Sequence, residues 1–222
     1  MTAAVQSGTA VVQAKRQLRR TVQIRLQQLS PAQVLADSQA VIDHLLASPY
    51  YTSSSSLSVY LSTPTGEVQT DSLIRRALGD GKRIYVPYCP VEDKTVMRML
   101  RLRDQSHFET LRENRWGIRE IDPAEADSLE DAADHHSSPG LDLILVPGLA
   151  FDRFRRRLGH GRGYYDRYVS ACLDYPARFG KSAPRTVALA LGAQMVQDGE
   201  EIPMNEWDRL PDVLLTPEGE IR

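Results

Sequence analysis

Between residues 153 and 166 the chain reads RFRRRLGHGRGYYD. Gly159, Gly161 and Gly163 alternate with larger side chains, and without a Cβ their amides can approach a phosphate closely. Arg157 and Arg162 flank them and can supply planar, bidentate contacts to phosphoryl oxygens. The spacing is not that of a Walker loop, which ends in glycine-lysine-serine/threonine, nor of a dinucleotide-binding G-x-G-x-x-G turn. Glycine and arginine alone fit a phosphate site and a solvated basic turn about equally. Asp166 adds a constraint. A carboxylate within a turn of a bound phosphate repels it unless a divalent cation lies between, and magnesium is the usual partner of nucleotides. The same aspartate would also complement a helix N-terminus, and spacing does not choose between the two. Of Tyr164, Tyr165 and Tyr168, one or two are expected to pack on a sheet and leave another facing the ligand.

The elements around this loop give it a place. Leu141 to Val146 (LDLILV) is nearly continuously apolar, as a central strand covered on both faces must be. Pro147-Gly148 ends it, and sites in open α/β sheets lie beyond the carboxyl ends of strands. A helix opening at Gly161 or Gly163 and running to about Leu173 points its first amides at the same spot. Upstream, Val11, Ala14, Leu18, Val22, Leu26 and Leu29 recur at helical spacing, predicting a helix over 11–29. Ser30-Pro31 reads as a cap and first residue of a second helix. Its apolar face is Val34, Leu35, Ser38, Val41, Ile42, Leu45 and Leu46, and it stops near Ser48-Pro49. Leu57 to Leu61 alternates as a strand, and Ser62 to Gln69 is a loop. Thr70 is expected to cap a short helix through Leu73, Ile74, Ala77 and Leu78, ended by Gly79 and Gly81. Arg83 to Val86, Val96 to Leu102, Thr186 to Leu191 and Asp212 to Leu215 complete the strands, with the last of these expected to end the sheet. Residues 1–10 read as a tail, and the acidic stretch 123–140 as a long surface loop. The alternation predicts one α/β domain over 1–222 with an open, mostly parallel sheet.

Composition excludes several classes. The chain has 222 residues, 41% hydrophobic and 25% charged, which is globular and not disordered composition. At this length about 70–75% of the unfolded surface is buried on folding, so no metal or disulfide is needed for stability. Only Cys89 and Cys172 are present, which excludes a disulfide scaffold and a four-cysteine zinc site; both read as structural thiols. No apolar run approaches membrane-spanning length. Net charge is −2, yet residues 1–36 hold Lys15, Arg16, Arg19, Arg20 and Arg25 without an acid. Basic clusters on a mildly acidic chain point to a local anion site, not to general adhesion to polyanions. The expected location is the cytoplasm. The acid-free N-terminus also fits a mitochondrial transit peptide.

The glycine-arginine loop ending in Gly163-Tyr164-Tyr165-Asp166, preceded by Pro147-Gly148-Leu149-Ala150-Phe151-Asp152, resembles the signature of the 5-formyltetrahydrofolate cyclo-ligase family. Further segments are similar in the same order: Ala14 to Arg19, Tyr60-Leu61-Ser62 with Glu67 to Thr70, Trp116-Gly117-Ile118, and Pro203 to Asp208. The resemblance implies a three-layer α/β/α sandwich. It also implies cyclisation of 5-formyltetrahydrofolate to 5,10-methenyltetrahydrofolate, with ATP as co-substrate, magnesium as cofactor, and ADP and phosphate released. It implies ATP contacts from Lys15, Arg16, Gln17, Leu18 and Arg19, and from Arg157, Leu158, Gly159, His160, Gly161, Arg162, Gly163, Tyr164 and Tyr165. The folate side would be lined by Arg19, Leu61, Glu67, Trp116, His160, Gly161, Arg162, Gly163 and Tyr164. Glu67 would bond the pterin ring, and Trp116 is either a folate contact or a core or hinge tryptophan. Arg157 and Arg162 are the catalytic candidates, stabilising the transferred phosphoryl group, and Asp166 and Asp208 the magnesium ligands. Arg155 stands where members usually carry glycine, which bears on the backbone shape there. His160 and Arg162 stand where arginine or other residues and lysine are frequent, and lysine and arginine are not equivalent at a phosphate.

A non-catalytic nucleotide- or RNA-binding protein gripping phosphates through the arginine clusters is the competing reading. It predicts strongly salt-dependent association and no ATP requirement. The enzyme reading expects small-molecule partners, no nucleic acid and no membrane, and leaves the oligomeric state open.

Overall fold

The computed structural model describes residues 8–93, 95–197 and 199–222. The chain runs α1 (Gly8–Leu26), α2 (Pro31–Ala47), α3 (Pro49–Thr52), β1 (Ser56–Ser58), α4 (Asp71–Gly79), β2 (Arg83–Tyr88), β3 (Arg98–Arg101) and α5 (Gln105–Thr110). The hairpin strands β4 (Arg112–Glu113) and β5 (Arg119–Glu120) follow, then β6 (Leu143–Val146), β7 (Ala150–Phe151), β8 (Arg157–Leu158), α6 (Tyr164–Ala171) and α7 (Tyr175–Phe179). The last elements are β9 (Arg185–Leu189), β10 (Val213–Thr216) and β11 (Gly219–Ile221).

Seven strands form one sheet in the order β11-β10-β9-β6-β1-β2-β3. The inner strands are parallel, and β3 and β11 are antiparallel edges. From β1 the chain goes to β2 on one side, then to β6, β9 and β10 on the other. The strand order reverses between β1 and β6, and in open α/β sheets the crevice at the carboxyl ends of such a pair is where ligands bind.

The strand side chains alternate between two apolar faces, as a period of two demands. Leu57, Leu143, Leu145 and Val187 pack under Val41, Leu45, Leu73 and Ile74 of α2 and α4. Tyr85, Ile144 and Val146 point the other way, onto Tyr168, Cys172 and Tyr175. Helices on both faces give the expected three layers. Each fully buried leucine or isoleucine of these layers contributes about 1.5–3 kcal/mol.

Helix α1 packs elsewhere. Val22 and Leu26 pack on Leu149, Ala150, Leu158 and Ile202, so the helix docks on the loop after β6. Lys15 and Arg19 lie on that same face, seven and three residues before Val22 and four apart from each other.

Local differences from the sequence reading have identifiable causes. The tail expected over 1–10 loses its last residues to α1, which starts at Gly8, while residues 1–7 lie outside the described residues. In α2, Ser30 caps Gln33 N–H at 3.1 Å as expected, but Leu35 is 65% exposed. Asp37 is buried instead, accepting from Gly192 N–H at 3.0 Å. Ser48 ends α2 and caps α3, a turn the reading omitted. Thr70 precedes α4 without capping it, because its hydroxyl donates to the Tyr60 carbonyl at 2.7 Å. Strand β11, also unexpected, folds back on β10 and carries only Ile221 as an apolar residue.

Residues 123–140 run along the open edge of β3. Arg101 N–H donates to Glu130 O (2.9 Å) and Ala132 N–H to Met99 O (2.8 Å), extending the ladder. Arg98 pairs with Asp127 and Asp131, and Arg101 with Glu130. The acids of this stretch thus neutralise the edge-strand arginines and cover the edge. Among the described residues no helix is long and apolar enough to cross a membrane.

Candidate active site

Strand β6 delivers the chain to Pro147-Gly148 at the crevice. A Cβ on Gly148 would lie 2.5 Å from Phe151 and 3.0 Å from Arg157, so only glycine fits under that loop. Strands β7 and β8 then pair antiparallel, Phe151 opposite Arg157. Asp152, fully buried, folds the turn between them. One carboxylate oxygen accepts the N–H groups of Phe154 and Arg156, both at 2.9 Å, and the other accepts Ile202 N–H at 2.9 Å. Arg155 sits at φ 64°, in the left-handed region, the single such non-glycine among the described residues. The guanidinium of Arg155 donates to the Asp212 carbonyl, which holds the strained turn in place.

The turn ends on Arg157, whose side chain is buried between two acceptors. It donates to Asp166 Oδ1 at 2.6 Å and to Pro147 O at 3.2 Å, and its buried Nε has no partner among the described residues. Asp166, on the first turn of α6, also accepts Arg209 N–H at 3.0 Å. The loop that follows places Gly161 at φ 103° and Gly163 at φ 67°, conformations open to glycine. Arg19 reaches down from α1 and donates from Nε to Gly159 O at 2.9 Å. Lys15, one turn earlier, is buried and paired with Asp208. Asp208 also accepts Asn205 N–H at 2.7 Å. His160 stands at the rim, its pKa held below the ordinary imidazole value by desolvation first and then by the charges of Arg19 and Arg157.

The other side of the crevice is built by the segment after β1. Val59 N–H still donates to Tyr85 O at 2.9 Å, and Leu61 is buried. Glu67 is buried, with one oxygen accepting Thr63 N–H at 2.6 Å. Burial pushes its pKa up to about 7, against the lowering effect of the Thr63 bonds. Tyr165 has a buried hydroxyl without a partner among the described residues. Its pKa is raised by burial first, then by the Glu67 carboxylate, while Arg157 opposes the shift. Trp116 is 60% exposed, which removes it from the core. Its turn presses on the Glu67 loop: a Cβ on Gly117 would lie 2.6 Å from Pro64.

Lys15, Arg19, Arg157, the glycines, His160, Tyr165 and Asp166 therefore lie together; residue type and spacing pointed to Arg157, the glycines and Asp166, and the family resemblance to Lys15 and Arg19. Arg16 and Gln17 lie exposed on the outer side of α1, and Arg162 is exposed at the loop tip. Leu18 and Leu158 pack into the α1 core and can offer a ligand only their backbone. Asp166 and Asp208 join no group of three metal-type side chains among the described residues. Sequence reasoning missed Arg209 and Asn205, whose backbone N–H groups orient the two aspartates; backbone donors leave no signal in residue type. It also treated the two cysteines alike. Cys172 is buried, whereas Cys89 is exposed beyond β2 and hydrogen-bonded to Tyr164.

A mostly parallel α/β sheet with arginines, glycine amides and a buried carboxylate converging at its switch point is of the class whose crevice suits a small anionic ligand. The 5-formyltetrahydrofolate cyclo-ligase family model matches residues 11–217. A Caenorhabditis elegans protein named probable 5-formyltetrahydrofolate cyclo-ligase is 36% identical over 200 residues, 90% of this chain and 91% of the relative. The Arabidopsis thaliana protein named 5-formyltetrahydrofolate cyclo-ligase, mitochondrial, is 35% identical over 217 residues, 95% of this chain and 76% of that one. The NMR structure of Aquifex aeolicus 5,10-methenyltetrahydrofolate synthetase matches with a TM-score of 0.69 and 29% identity, covering 94% of this chain and 92% of that one. The chain belongs to the 5-formyltetrahydrofolate cyclo-ligase family and is an enzyme of that family.

Proposed function

We propose that the enzyme converts 5-formyltetrahydrofolate and ATP into 5,10-methenyltetrahydrofolate, ADP and phosphate, with magnesium. The formyl oxygen attacks the γ-phosphorus and ADP leaves. The nitrogen at position 10 then attacks the activated formyl carbon, which closes the five-membered ring, and loss of the N10 proton and of phosphate leaves the methenyl carbon. A formamide oxygen leaves poorly, and phosphorylation makes it a good leaving group. The chain need supply no nucleophile; positioning and charge stabilisation are its work.

In this reading Lys15, Arg19 and the amides of Gly159 to Gly163 hold the triphosphate, and Arg157 and Arg162 stabilise the transferred group. Glu67 and Leu61 bind the pterin side. Asp166 and Asp208 suit magnesium in its usual manner, through one or two carboxylates with phosphate oxygens and water completing the shell. Both carboxylates are engaged by cations and N–H groups, so the phosphates must bring part of that shell. Magnesium would supply neutralisation of charge between the phosphoryl oxygens and these carboxylates.

The observation that carries the reading is Tyr165. Its buried hydroxyl lies within electrostatic range of both the Glu67 carboxylate and the Arg157 guanidinium, which supports folate-side and phosphate-side groups lying near each other. The RNA alternative has less support. Arg157, Arg156, Arg19 and Lys15 are each paired within the protein, not arrayed as a solvated strip. We place the enzyme in the cytoplasm; the mitochondrial label of the Arabidopsis relative makes that organelle the alternative. The test is an absorbance assay for the methenyl product. Product is expected only with folate, ATP and magnesium together, and none from folded protein under those conditions overturns the reading.

A further inference from the structure

Trp207 is 71% exposed, a large indole facing water. It is not on a loose segment. Its backbone N–H donates to Asn205 Oδ1 at 2.9 Å, and that oxygen also accepts Asp208 N–H at 3.1 Å. Asp208 returns a bond by accepting Asn205 N–H at 2.7 Å and is paired with Lys15 of α1. Two residues on, Arg209 N–H is bound to Asp166 at 3.0 Å. The turn is therefore stitched to α1 and to α6, the two helices that flank the proposed phosphate loop. Among the described residues no ring or guanidinium packs on the indole.

Trp116, the other exposed tryptophan, differs on each point. The guanidinium of Arg115 covers its ring at 4.0 Å from the centroid, and its turn leans on the Glu67 loop. One tryptophan thus belongs to the folate side, the other to the margin of the phosphate-binding groups. In a nucleoside triphosphate the base lies at the opposite end from the terminal phosphate, so its receptor must sit at that margin. A flat, uncovered π-face carried on a backbone turn that is itself held in place is the chemistry that receives a nucleobase, and such stacking is tolerant of base identity.

We propose that Trp207 is the platform on which the base of the nucleotide stacks. The proposal deepens the reading that a nucleotide occupies this loop, and rests on it. Calorimetry of the full chain with ADP, and separately with inorganic tripolyphosphate, tests it. Trp207→Ala is expected to weaken ADP binding by about tenfold or more while leaving tripolyphosphate unchanged. In Trp116→Phe, where Trp207 is the sole indole, ADP is expected to quench the fluorescence and tripolyphosphate to leave it intact. Unaltered ADP affinity in Trp207→Ala overturns the platform and leaves the nucleotide reading standing. Equal weakening for both ligands also overturns it, since the indole would then act through the phosphate groups. Wild-type protein that binds tripolyphosphate and not ADP removes the platform and the ATP reading together.

Discussion

Arg157 and Asp166 form a largely buried ion pair at 2.6 Å. The arginine proposed to stabilise a phosphoryl group and the carboxylate proposed to hold magnesium therefore neutralise each other. A phosphate must compete for the guanidinium, and the carboxylate it displaces needs another cation. The two roles are coupled, and magnesium and phosphate should bind interdependently. Without magnesium, Asp166→Asn should bind ADP several-fold more tightly than wild type, because the freed arginine meets no competing negative charge. With magnesium its turnover should fall by about a hundredfold or more. Calorimetry in chelator and steady-state rates measure the two effects, and a variant with wild-type behaviour in both would remove Asp166 from the site.

Arg157→Ala leaves Asp166 and the Pro147 carbonyl short of their donor. Removing one partner of a buried pair costs up to about 3–5 kcal/mol, reduced here because Asp166 keeps the Arg209 N–H. A stability loss of about 1–3 kcal/mol is expected in urea, together with a turnover loss of about a hundredfold or more. Arg157→Lys should recover much of the stability and little of the rate, since an ammonium cannot span both acceptors in a plane. Full activity in the lysine variant would refute the bidentate role.

Glu67 gives the protein's stability a signed pH dependence. Its folded pKa of about 7 exceeds the ordinary glutamate value of 4.5, so between these values the folded state binds more protons than the unfolded. Stability then falls as pH rises from about 4.5 to about 7, by up to roughly 3 kcal/mol from this group. Glu67→Gln should remove that component, so the stability difference between variant and wild type grows in the variant's favour from pH 5 to pH 7.5. Denaturant unfolding at the two pH values measures it. A constant difference would mean that the carboxylate is ionised throughout.

How far the sequence carried depends on where each contact lies. Leu141 to Val146 was readable as a central strand because burial on both faces leaves a continuous apolar run. Strand β11 was not, since Gly219 and Glu220 carry no strand signal and the partner β10 decides the pairing. Thr70 and Leu35 obeyed local rules that tertiary contacts overrode: the Tyr60 carbonyl took the threonine hydroxyl, and Asp37 took the buried place through Gly192. In the site, Arg157, the glycines and Asp166 were legible from residue type and spacing. Lys15, Arg19, Glu67 and Asp208 were legible only through family resemblance, because each is an ordinary residue in its own neighbourhood. The buried Tyr165 hydroxyl, without a partner among the described residues, and the Arg209 N–H that steadies Asp166 had no signal, being properties of packing between distant segments.

Arg155 offers a test of how the loop is held. Its left-handed conformation costs a non-glycine residue about 1 kcal/mol, and a β-branched one more. Glycine would relieve that strain but would add freedom to the unfolded chain and lose the bond to the Asp212 carbonyl. These effects oppose one another, so Arg155→Gly should stay within about 1 kcal/mol of wild type. Arg155→Val adds strain and loses the same bond, and should be destabilised by about 2 kcal/mol or more. Because β8 begins two residues later with Arg157, the valine variant should also lose turnover while glycine retains it. Urea unfolding and the methenyl assay on the pair decide the matter. If valine matched glycine in both, the backbone at this turn would not be what aims Arg157.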